Sequence, residues 1–534
     1  MKKTVIFSLA LASAVALHAQ DAYDAATLAS ENLNGTARYV GMGGALDALG
    51  ADLSTISTNP AAIGLFRHSK VQFSMSLVSQ ENVKKYGGVG KNNVSFDQAG
   101  FVWSNQTNVQ SFVNFAFNYH KSNNFNQIIA AANAFAPSVR AEDGSGAMTE
   151  LVGSGQNLQT LVKGQRGLLN SDKKDIDGIN YYQSQVDFMY SNLLMFDQSG
   201  TNVYYPVTAS SFDFRQGRTG YIGVYDFNLS GNSNDRIYWG LSIGLHDVHY
   251  EAYTSYNETL ESGHVLPNAS APTSAGLTDE RSIKGQGVDI KAGLIVRPIA
   301  ESPFRIGVSV TTPTWYKLTT SNFTTAYVDI DDHSQETYDF KYYTPWRFGL
   351  SLGHTVGSSL ALGAGYEFTD FSSCDMRYIT GTGNNGDESR SDADMNDEIG
   401  YSLKGVHTLK VGAEFRPDPA VAVRLGYNFV SPKYGDNDVA YRNQKTYSPG
   451  VYYASTTDYT NWRATHRITA GIGTKIDKFS VDLAYQYSMT KGDFFPFADG
   501  EYYEGNGMYI ENVTPVTKVD FKRHQVLLTL GYSF

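Results

Sequence analysis

Hydrophobic and polar residues alternate along several segments in the C-terminal half of the chain. In one of them, Leu409, Val411 and Phe415 share one side of the predicted strand. Lys410 and Glu414 share the other side, so this strand needs water on one face and lipid or a dry core on the other. Alternation over about ten residues is typical of strands that cross a membrane. The same pattern is found in residues 360–368, 421–429 and 479–488.

The strongest of these segments is the last one, residues 524–534. Every second residue from Val526 to Phe534 is apolar, so one side of the predicted strand is apolar throughout. A final strand of this kind resembles the signal that outer-membrane proteins present to the barrel-assembly machinery. We therefore interpret Tyr532 and Phe534 as that signal. The alternative is a β-sandwich whose last strand happens to end in phenylalanine.

These segments together predict an all-β fold, a transmembrane antiparallel β-barrel. We count candidates for about 14 strands, in line with the even strand numbers of bacterial barrels, and expect the first strand at residues 68–78. Long polar stretches are expected to form extracellular loops that alternate with short turns. The expected loops are residues 141–187, 254–284, 381–400 and 434–461.

The composition agrees with a barrel and disfavours a bundle of membrane-spanning helices. Only 18% of the 534 residues are charged, below the quarter that is usual in soluble domains, yet the mean hydropathy is −0.31. A barrel reconciles these values, because its apolar outer side and its polar lumen cancel in the average. No apolar stretch beyond the N-terminus reaches the roughly 18 residues that predict a spanning helix.

The N-terminus has the features of a secretory signal peptide. Lys2 and Lys3 precede an apolar run, residues 5–17, which is too short to span a bilayer as a helix. An imperfect small-residue cleavage site ends at Ala19. We expect residues 1–19 to be removed and the mature chain to reside in the cell outer membrane of a Gram-negative-type bacterium.

Charge and cysteine content narrow the possible functions. The net charge of −11 argues against nucleic acid as a partner, because faces that bind nucleic acid are basic. The single cysteine, Cys374, permits no internal disulfide and no cysteine-rich metal site. We interpret it as an incidental residue near a strand end.

Candidate metal ligands are few. His246 and His249 suggest a metal or haem site, but their spacing puts them on opposite faces of a strand, and solvated histidines or histidines of an aromatic girdle are the simpler interpretation. The acidic residues 329–333 and 392–398 are interpreted as solvated loops rather than as Ca²⁺ sites. We therefore expect no catalytic residue, no metal site and no cofactor, and predict that the protein is not an enzyme.

Residues 20–66 do not alternate, and small residues dominate them. Helical flanks are expected at residues 25–33 and 46–53. Because the segment precedes the first strand, it would fold back into the lumen as a plug. The expected organisation is a signal peptide, a plug (residues 20–66) and a barrel with long extracellular loops (residues 67–534).

Three motifs in this segment carry a family resemblance: Gly41-Met42-Gly43-Gly44-Ala45, Ala48-Leu49-Gly50-Ala51-Asp52 and Asn59-Pro60-Ala61. They resemble the N-terminal hatch of the FadL/OmpP1/TodX family of outer-membrane transporters. Later segments look like a Bacteroidetes branch that is often labelled haemin receptor. The resemblance implies a 14-stranded barrel, a hatch that closes the lumen, and uptake of fatty acids or aromatic hydrocarbons with sideways release into the membrane.

The resemblance also implies a functional role for these motifs. Glycine permits unusual backbone angles, and an Asn-Pro step would fix a turn at which the hatch hinges. The alternative is that the glycines simply pack tightly against the wall. The predicted hatch or ligand gate consists of Gly41, Gly43, Gly44, Asn59, Pro60 and Ala61.

The expected function is passive uptake of hydrophobic small molecules, either long-chain fatty acid-like or aromatic, through the plugged barrel. The expected partners are that ligand, outer-membrane lipid and the barrel-assembly machinery. Three alternatives stay open. A haem-binding receptor would have an exposed axial His or Tyr, and a barrel resembling the PorV shuttle of type IX secretion would bind protein partners. A barrel lipase would place a Ser–His pair in the lumen.

Overall fold

A computed structural model shows a closed antiparallel barrel in which the last strand pairs with the first. The predicted signal peptide and most of the predicted loops 141–187 and 434–461 lie outside the residues that the structure describes. The described residues are 22–135, 139–142, 148–151, 189, 195–197, 204–206, 209–260, 274–327, 331–383, 386–435, 455, 458–496, 500–503, 509–512 and 516–534.

Fourteen strands follow one another around the wall, each antiparallel to its neighbours, which confirms the predicted fold class. Five of them consist of two segments, separated by two to four residues in β3, β7, β8 and β9 and by residues 392–404 in β10. They are β1 Lys70–Gln80, β2 Asn92–Asn108, β3 Ser111–Asn124 and Gln127–Ala134, β4 Ala209–Ser233, β5 Ile237–Leu260, β6 Ser274–Val296, β7 Arg305–Thr311 and Trp315–Tyr327, β8 Asp331–Tyr343 and Arg347–Val356, β9 Leu360–Asp370 and Asp375–Gly383, β10 Gly386–Ser391 and Gly405–Asp418, β11 Val421–Val430, β12 Tyr459–Ile476, β13 Phe479–Phe495, and β14 Thr517–Ser533.

The outer face of the wall is apolar and the lumen is polar, as the alternation predicted. Leu409 and Val411 are 48% and 50% exposed, whereas Lys410 and Glu414 are 4% and 2% exposed. A soluble β-sandwich buries its apolar side against a second sheet. The inverted burial therefore excludes the sandwich alternative and indicates a lipid-facing wall.

The two ends of the barrel differ in their connections. At one end short turns join the strands, such as residues 234–236 between β4 and β5 and residues 477–478 between β12 and β13. At the other end most connections are long, and we name the two ends the turn end and the loop end. Exposed tryptophans lie on the outer face toward both ends, as in aromatic girdles. They are Trp103 and Trp239 toward the turn end and Trp315 and Trp346 toward the loop end.

Short helices lie in the lumen and in one break of the wall. No helix among the described residues is long and apolar enough to cross a membrane. The helices are α1 Ala22–Leu28, α2 Ala37–Gly41 and α3 Ala393–Ser402, and the 3₁₀ turns are Leu53–Ser57, Pro60–Leu65 and Phe371–Ser373.

Two breaks in neighbouring strands contain proline, which has no N–H to donate to a ladder. Pro313 interrupts β7 and Pro345 interrupts β8. Threonines join the two strands across the breaks, since the backbone N–H of Thr314 donates to the Thr344 hydroxyl at 2.8 Å. The wall therefore stays closed where these strands are interrupted.

Several expected element bounds are wrong. The predicted loop 254–284 is mostly strand, because β5 continues to Leu260 and β6 begins at Ser274. These extensions project beyond the apolar band, so their outer face is polar, whereas Tyr256, Leu260 and Leu277 of their inner face belong to a buried apolar cluster. The polar outer face makes the sequence resemble a loop. The predicted loop 381–400 contains the ends of β9 and β10 and most of α3, and β1 begins at Lys70 instead of residue 68.

Candidate functional site

The N-terminal segment, residues 22–66, crosses the lumen from one side of the wall to the other. Helix α2 packs against β11, β12 and β13, whereas the turn Pro60–Leu65 packs against β4, β5 and β6. The predicted helix 25–33 ends earlier, at Leu28. The predicted helix 46–53 is wrong, because Gly50 and Ala51 have φ angles of +64° and +56° that end any helix.

Glycines of the wall face this segment wherever the two backbones meet. A Cβ atom at Gly363, Gly412 or Gly426 would overlap backbone atoms of residues 42–45. Gly363 and Gly412 lie directly opposite each other on β9 and β10, and Gly412 lies opposite Gly426 on β11. We name the set of such positions the glycine seat: Gly240, Gly293, Gly353, Gly363, Gly412 and Gly426. At the seat the backbone of the segment lies directly against the wall, except at Gly293, where the side chain of Asn59 does so.

The first predicted motif lies in this seat. Gly43 has a φ of +64°, and a Cβ there would lie 2.8 Å from the backbone N of Tyr427. Gly44 has a φ of +82°, and Gly41 packs on Gly471 of β12. The glycines therefore satisfy both the conformational and the packing requirement.

The motif Asn59-Pro60-Ala61 lies on the opposite side of the lumen. Asn59 caps the turn Pro60–Leu65 by accepting a hydrogen bond from the backbone N–H of Ala61 at 3.1 Å. Its side chain occupies the space that Gly293 leaves on β6, and Pro60 does so at Gly240 on β5. The structure thus places the two halves of the predicted gate on opposite walls, and their role in gating stays a prediction.

Buried ion pairs attach the segment to the wall beside the seat. Arg38 donates to Glu414 at 3.0 Å and also to the carbonyls of Gly50 and Ala51 at 3.2 Å. Glu414 in turn accepts from Arg424 at 2.7 Å. Removing one member of such a buried network leaves an uncompensated charge, at a cost of about 3–5 kcal/mol.

A cavity of about 290 Å³ lies on the loop side of the segment, which forms its floor. Carbon-rich side chains line part of it: Leu28, Phe125, Ile222, Phe371, Trp462 and Phe521. Most basic side chains at the cavity are neutralised, for example Arg347 by Glu31 at 2.5 Å and Arg218 by Asp458. Three other basic side chains at the cavity have no carboxylate partner among the described residues.

Arg467, Arg523 and Lys433 form a basic cluster at this cavity. Among the described residues none of the three forms an ion pair with a carboxylate. Arg467 and Arg523 both lie opposite Ser488, so their backbones are two strands, or about 10 Å, apart on one inward row.

The contacts of the cluster are with neutral groups. Arg467 donates to Asn428 at 2.7 Å and Arg523 donates to Asn32 at 3.1 Å. The Nε atom of each arginine is buried without a hydrogen-bond partner among the described residues. Lys433 donates to the Ser30 hydroxyl, and burial, together with the charge of Arg467, lowers its pKa to about 8. An anion would satisfy all three groups.

The sequence alone does not identify this cluster. The alternation of β12 and β14 indicates that Arg467 and Arg523 face the lumen, as lysine and arginine do on other strands. Nothing local distinguishes an arginine that meets an aspartate across the barrel from one that does not. Their pairing depends on contacts between residues hundreds of positions apart.

The ladder between β2 and β3 stops partway up the wall and leaves a seam. It is continuous from the turn end to Gln98, which pairs with His120, but β2 residues 92–97 pair only with β1. In the seam, the amide of Asn34 donates to Asp97 at 3.1 Å and to the carbonyl of Lys121 at 3.2 Å. Side chains, instead of a ladder, close the wall here, and Asn34 also lines the cavity.

The remaining predicted residues have structural contacts. His246 and His249 do lie on opposite faces of β5, but His246 is buried, not solvated, and contacts Asp289 and Tyr316 at 3.0 Å. Cys374 is buried and accepts a hydrogen bond from the Tyr342 hydroxyl at 3.0 Å. In the described part of the chain, no group of three or more His, Cys, Asp or Glu side chains is arranged to hold a metal ion.

Comparison with known proteins bears on the fold. No family model and no curated protein sequence matches the chain. Among solved structures, a FadL homologue from Pseudomonas aeruginosa is similar over 95% of this chain and 100% of its own, with 12% identity and a TM-score of 0.50. The toluene transporter TbuX of Ralstonia pickettii also matches, with 12% identity and a TM-score of 0.46 over 94% of this chain and 99% of its own. The toluene transporter TodX of Pseudomonas putida matches with 10% identity and a TM-score of 0.45 over 95% of this chain and 100% of its own. The chain therefore has the fold of the Pseudomonas aeruginosa FadL homologue, as the motif resemblance implied.

Proposed function

We propose that this protein is a passive outer-membrane transporter of the FadL/TodX type, and that its ligand is a hydrophobic molecule with an anionic head. The observation that carries the proposal is the basic cluster in the lumen. Two buried arginines and a half-buried lysine that have no carboxylate partner among the described residues are costly, and a bound anion offsets that cost. The fatty-acid-like ligand is thus favoured over the aromatic hydrocarbon.

The surroundings of the cluster suit the rest of such a ligand. Arginine binds a carboxylate through two parallel N–H donors, and no described residue accepts a hydrogen bond from Nε of Arg467 or Arg523. Phe521 and Trp462 line the same cavity and offer apolar surface to a hydrocarbon chain. Burial of that chain contributes about 25 cal/mol for each Å² removed from water.

The path out of the cavity follows from the same contacts. The glycine seat leaves no room between segment and wall, which disfavours a straight path to the turn end. The seam between β2 and β3 is closed by Asn34 and by Lys121, whose ammonium donates to Ser95 at 3.0 Å. Rearranging two side chains is cheaper than breaking a ladder, so we propose sideways release through the seam into the membrane.

The haem alternative is not favoured by the lumen. An exposed axial ligand is a histidine with a nitrogen free to coordinate iron, or a tyrosine, and the tyrosines that line the cavity, Tyr39 and Tyr316, are both buried. The histidines that line the cavity are His120 and His246, which lie 3.3 Å from Asp226 and 3.0 Å from Asp289. Both are held by carboxylates of the wall. The protein-partner alternative depends on loops outside the described residues and stays a hypothesis.

The proposal is tested by equilibrium binding of dodecanoate and dodecanol, which share a chain and differ in head group. The wild-type barrel should bind dodecanoate more tightly. The variant Arg467→Gln/Arg523→Gln should lose about tenfold or more in dodecanoate affinity, the size of a charge-assisted hydrogen bond, and little in dodecanol affinity.

The matched control is Arg218→Gln, because Arg218 also lines the cavity but its guanidinium is paired with Asp458. It should keep the preference for dodecanoate. A wild-type barrel that binds neither compound, or a double variant that binds dodecanoate as the wild type does, would overturn the assignment.

A further inference from the structure

One arrangement of side chains occurs three times on the outer face of the wall, away from the lumen. In each copy a tyrosine hydroxyl lies 2.7 Å from Nδ1 of a histidine on the next strand. Tyrosine and histidine are 41, 39 and 39 residues apart in sequence, so each copy spans two adjacent strands. The pairs are Tyr366–His407 on β9 and β10, Tyr427–His466 on β11 and β12, and Tyr485–His524 on β13 and β14.

A second aromatic ring completes each copy. The residue two positions after the tyrosine lies directly opposite the histidine in the ladder. Its ring centroid is 5.2, 5.3 or 5.0 Å from the imidazole in the three copies. These rings belong to Phe368, Phe429 and Tyr487. The same geometry on three successive strand pairs indicates a common role rather than incidental packing.

The three histidines lie at the loop-end border of the apolar band. On the turn side of them the outer face presents Leu409, Ile468 and Val526, all exposed. On the loop side it becomes charged, with Arg463 and Lys518 more than half exposed. A border between an apolar band and charged side chains is where lipid head groups meet a membrane protein.

The hydrogen bonding directs one donor of each imidazole away from the barrel. With the tyrosine hydroxyl donating to Nδ1, the imidazole carries its proton on Nε2. Nε2 of His524 meets an anionic oxygen, the Glu81 carboxylate, at 2.6 Å. The structure records no such partner for Nε2 of His407 or His466 among the described residues. In the third copy a carboxylate therefore occupies the position next to Nε2 that no described residue occupies in the other two copies.

We propose that His407 and His466 form two sites on the outer face that each bind the phosphate of an outer-leaflet lipid head group. In the third copy Glu81 of the chain itself takes that place. Each Nε2–H donates to a phosphate oxygen, while the neighbouring aromatic ring packs against the acyl-chain boundary. These sites fix the height of the barrel in the membrane and are independent of any ligand in the lumen.

The test is native mass spectrometry of the purified full-length barrel with two lipids of identical acyl chains, phosphatidic acid and diacylglycerol. The wild type should retain phosphatidic acid in preference to diacylglycerol. His407→Phe and His466→Phe keep an aromatic ring without the donor, and each should lose one bound phosphatidic acid. The double variant should lose both.

The matched control is His524→Phe, whose partner is already Glu81, and it should retain phosphatidic acid as the wild type does. Tyr366→Phe removes only the hydroxyl and should weaken retention at His407 about tenfold or less. Folding of every variant is checked by the heat-dependent gel mobility of the closed barrel. Equal retention of the two lipids by the wild type, or unchanged retention of phosphatidic acid by both single variants, would overturn the proposal.

Discussion

At the scale of single residues, Gly412 tests whether contact between backbones closes the lumen. A valine there would overlap the Met42 carbonyl, which belongs to a backbone that the rest of the seat holds in place. Overpacking of this kind costs about 1–3 kcal/mol. We expect Gly412→Val to displace the N-terminal segment, to raise the ion conductance of the barrel in planar bilayers and to lower its Tm.

The matched control is Gly381→Val, because no described atom lies within 4 Å of a Cβ at Gly381. This variant should conduct and melt as the wild type does. If Gly412→Val also leaves both conductance and Tm unchanged, the segment does not seal the lumen through the glycine seat.

The same residues show what could be predicted at this scale. The motif Gly41-Met42-Gly43-Gly44 was recognised, and the positive φ of Gly43 and Gly44 explains why glycine is needed there. Gly412 and its neighbours in the seat were not recognised. Within a strand a glycine is ordinarily a weak point, and its value here comes from a segment about 370 residues earlier in the chain.

At the scale of elements, the seam between β2 and β3 is a proposed exit that can be locked. Cysteines at Ser95 and Lys121, joined by a reagent about as long as the lysine side chain, would fix the two strands together. In a Cys374→Ser background we expect the locked barrel to bind dodecanoate normally but to lose uptake of labelled dodecanoate into cells. A reducible linker should restore uptake when it is cleaved.

The control for the seam is a second linked pair on the same two strands. Phe101 and Phe117 lie directly opposite each other on the outer face, where the ladder is continuous. Linking cysteines at these positions should not affect uptake. Full uptake by the barrel locked at Ser95 and Lys121 would exclude the seam as the exit.

Strands were predictable where they cross the apolar band and less so beyond it. In residues 409–416 lipid on one side and a lumen on the other impose opposite chemistry on successive side chains. In residues 254–260 one side of the strand is polar, and on the other side Tyr256 and Leu260 pack in a buried apolar cluster. The polar residues Thr254 and Glu258 interrupt that inner row, so the period of two is weak in the sequence although the ladder continues. The end of the β2–β3 ladder has no local signal, and Asn34, whose side chain contacts both strands there, comes from the N-terminal segment.

At the scale of the whole molecule, the barrel is closed by pairing of the first strand with the last. All eleven residues of β1 pair with β14, and the backbone N–H of the terminal Phe534 donates to the Ser69 carbonyl at 3.0 Å. The side chain of Phe534 is 64% exposed and contacts the ring of Tyr532 at a centroid distance of 6.2 Å. Closure therefore depends on the backbone of the last strand, and the phenylalanine ring contributes little to it.

Because the backbone of the last strand closes the barrel, the role of the Phe534 ring in assembly can be tested separately from the stability of the folded barrel. If the terminal ring is the assembly signal, Phe534→Ala should reduce the amount of barrel in the outer membrane several-fold, because the assembly machinery reads the ring. The Tm of the same variant refolded into detergent should be nearly unchanged, as expected for loss of an exposed side chain, about 0.5 kcal/mol or less. Ile476→Ala, at a lipid-facing position that is 70% exposed near the same end, should change neither quantity. A Phe534→Ala barrel that loses Tm in proportion to its loss from the membrane would make the ring a structural contact and leave the assembly signal elsewhere.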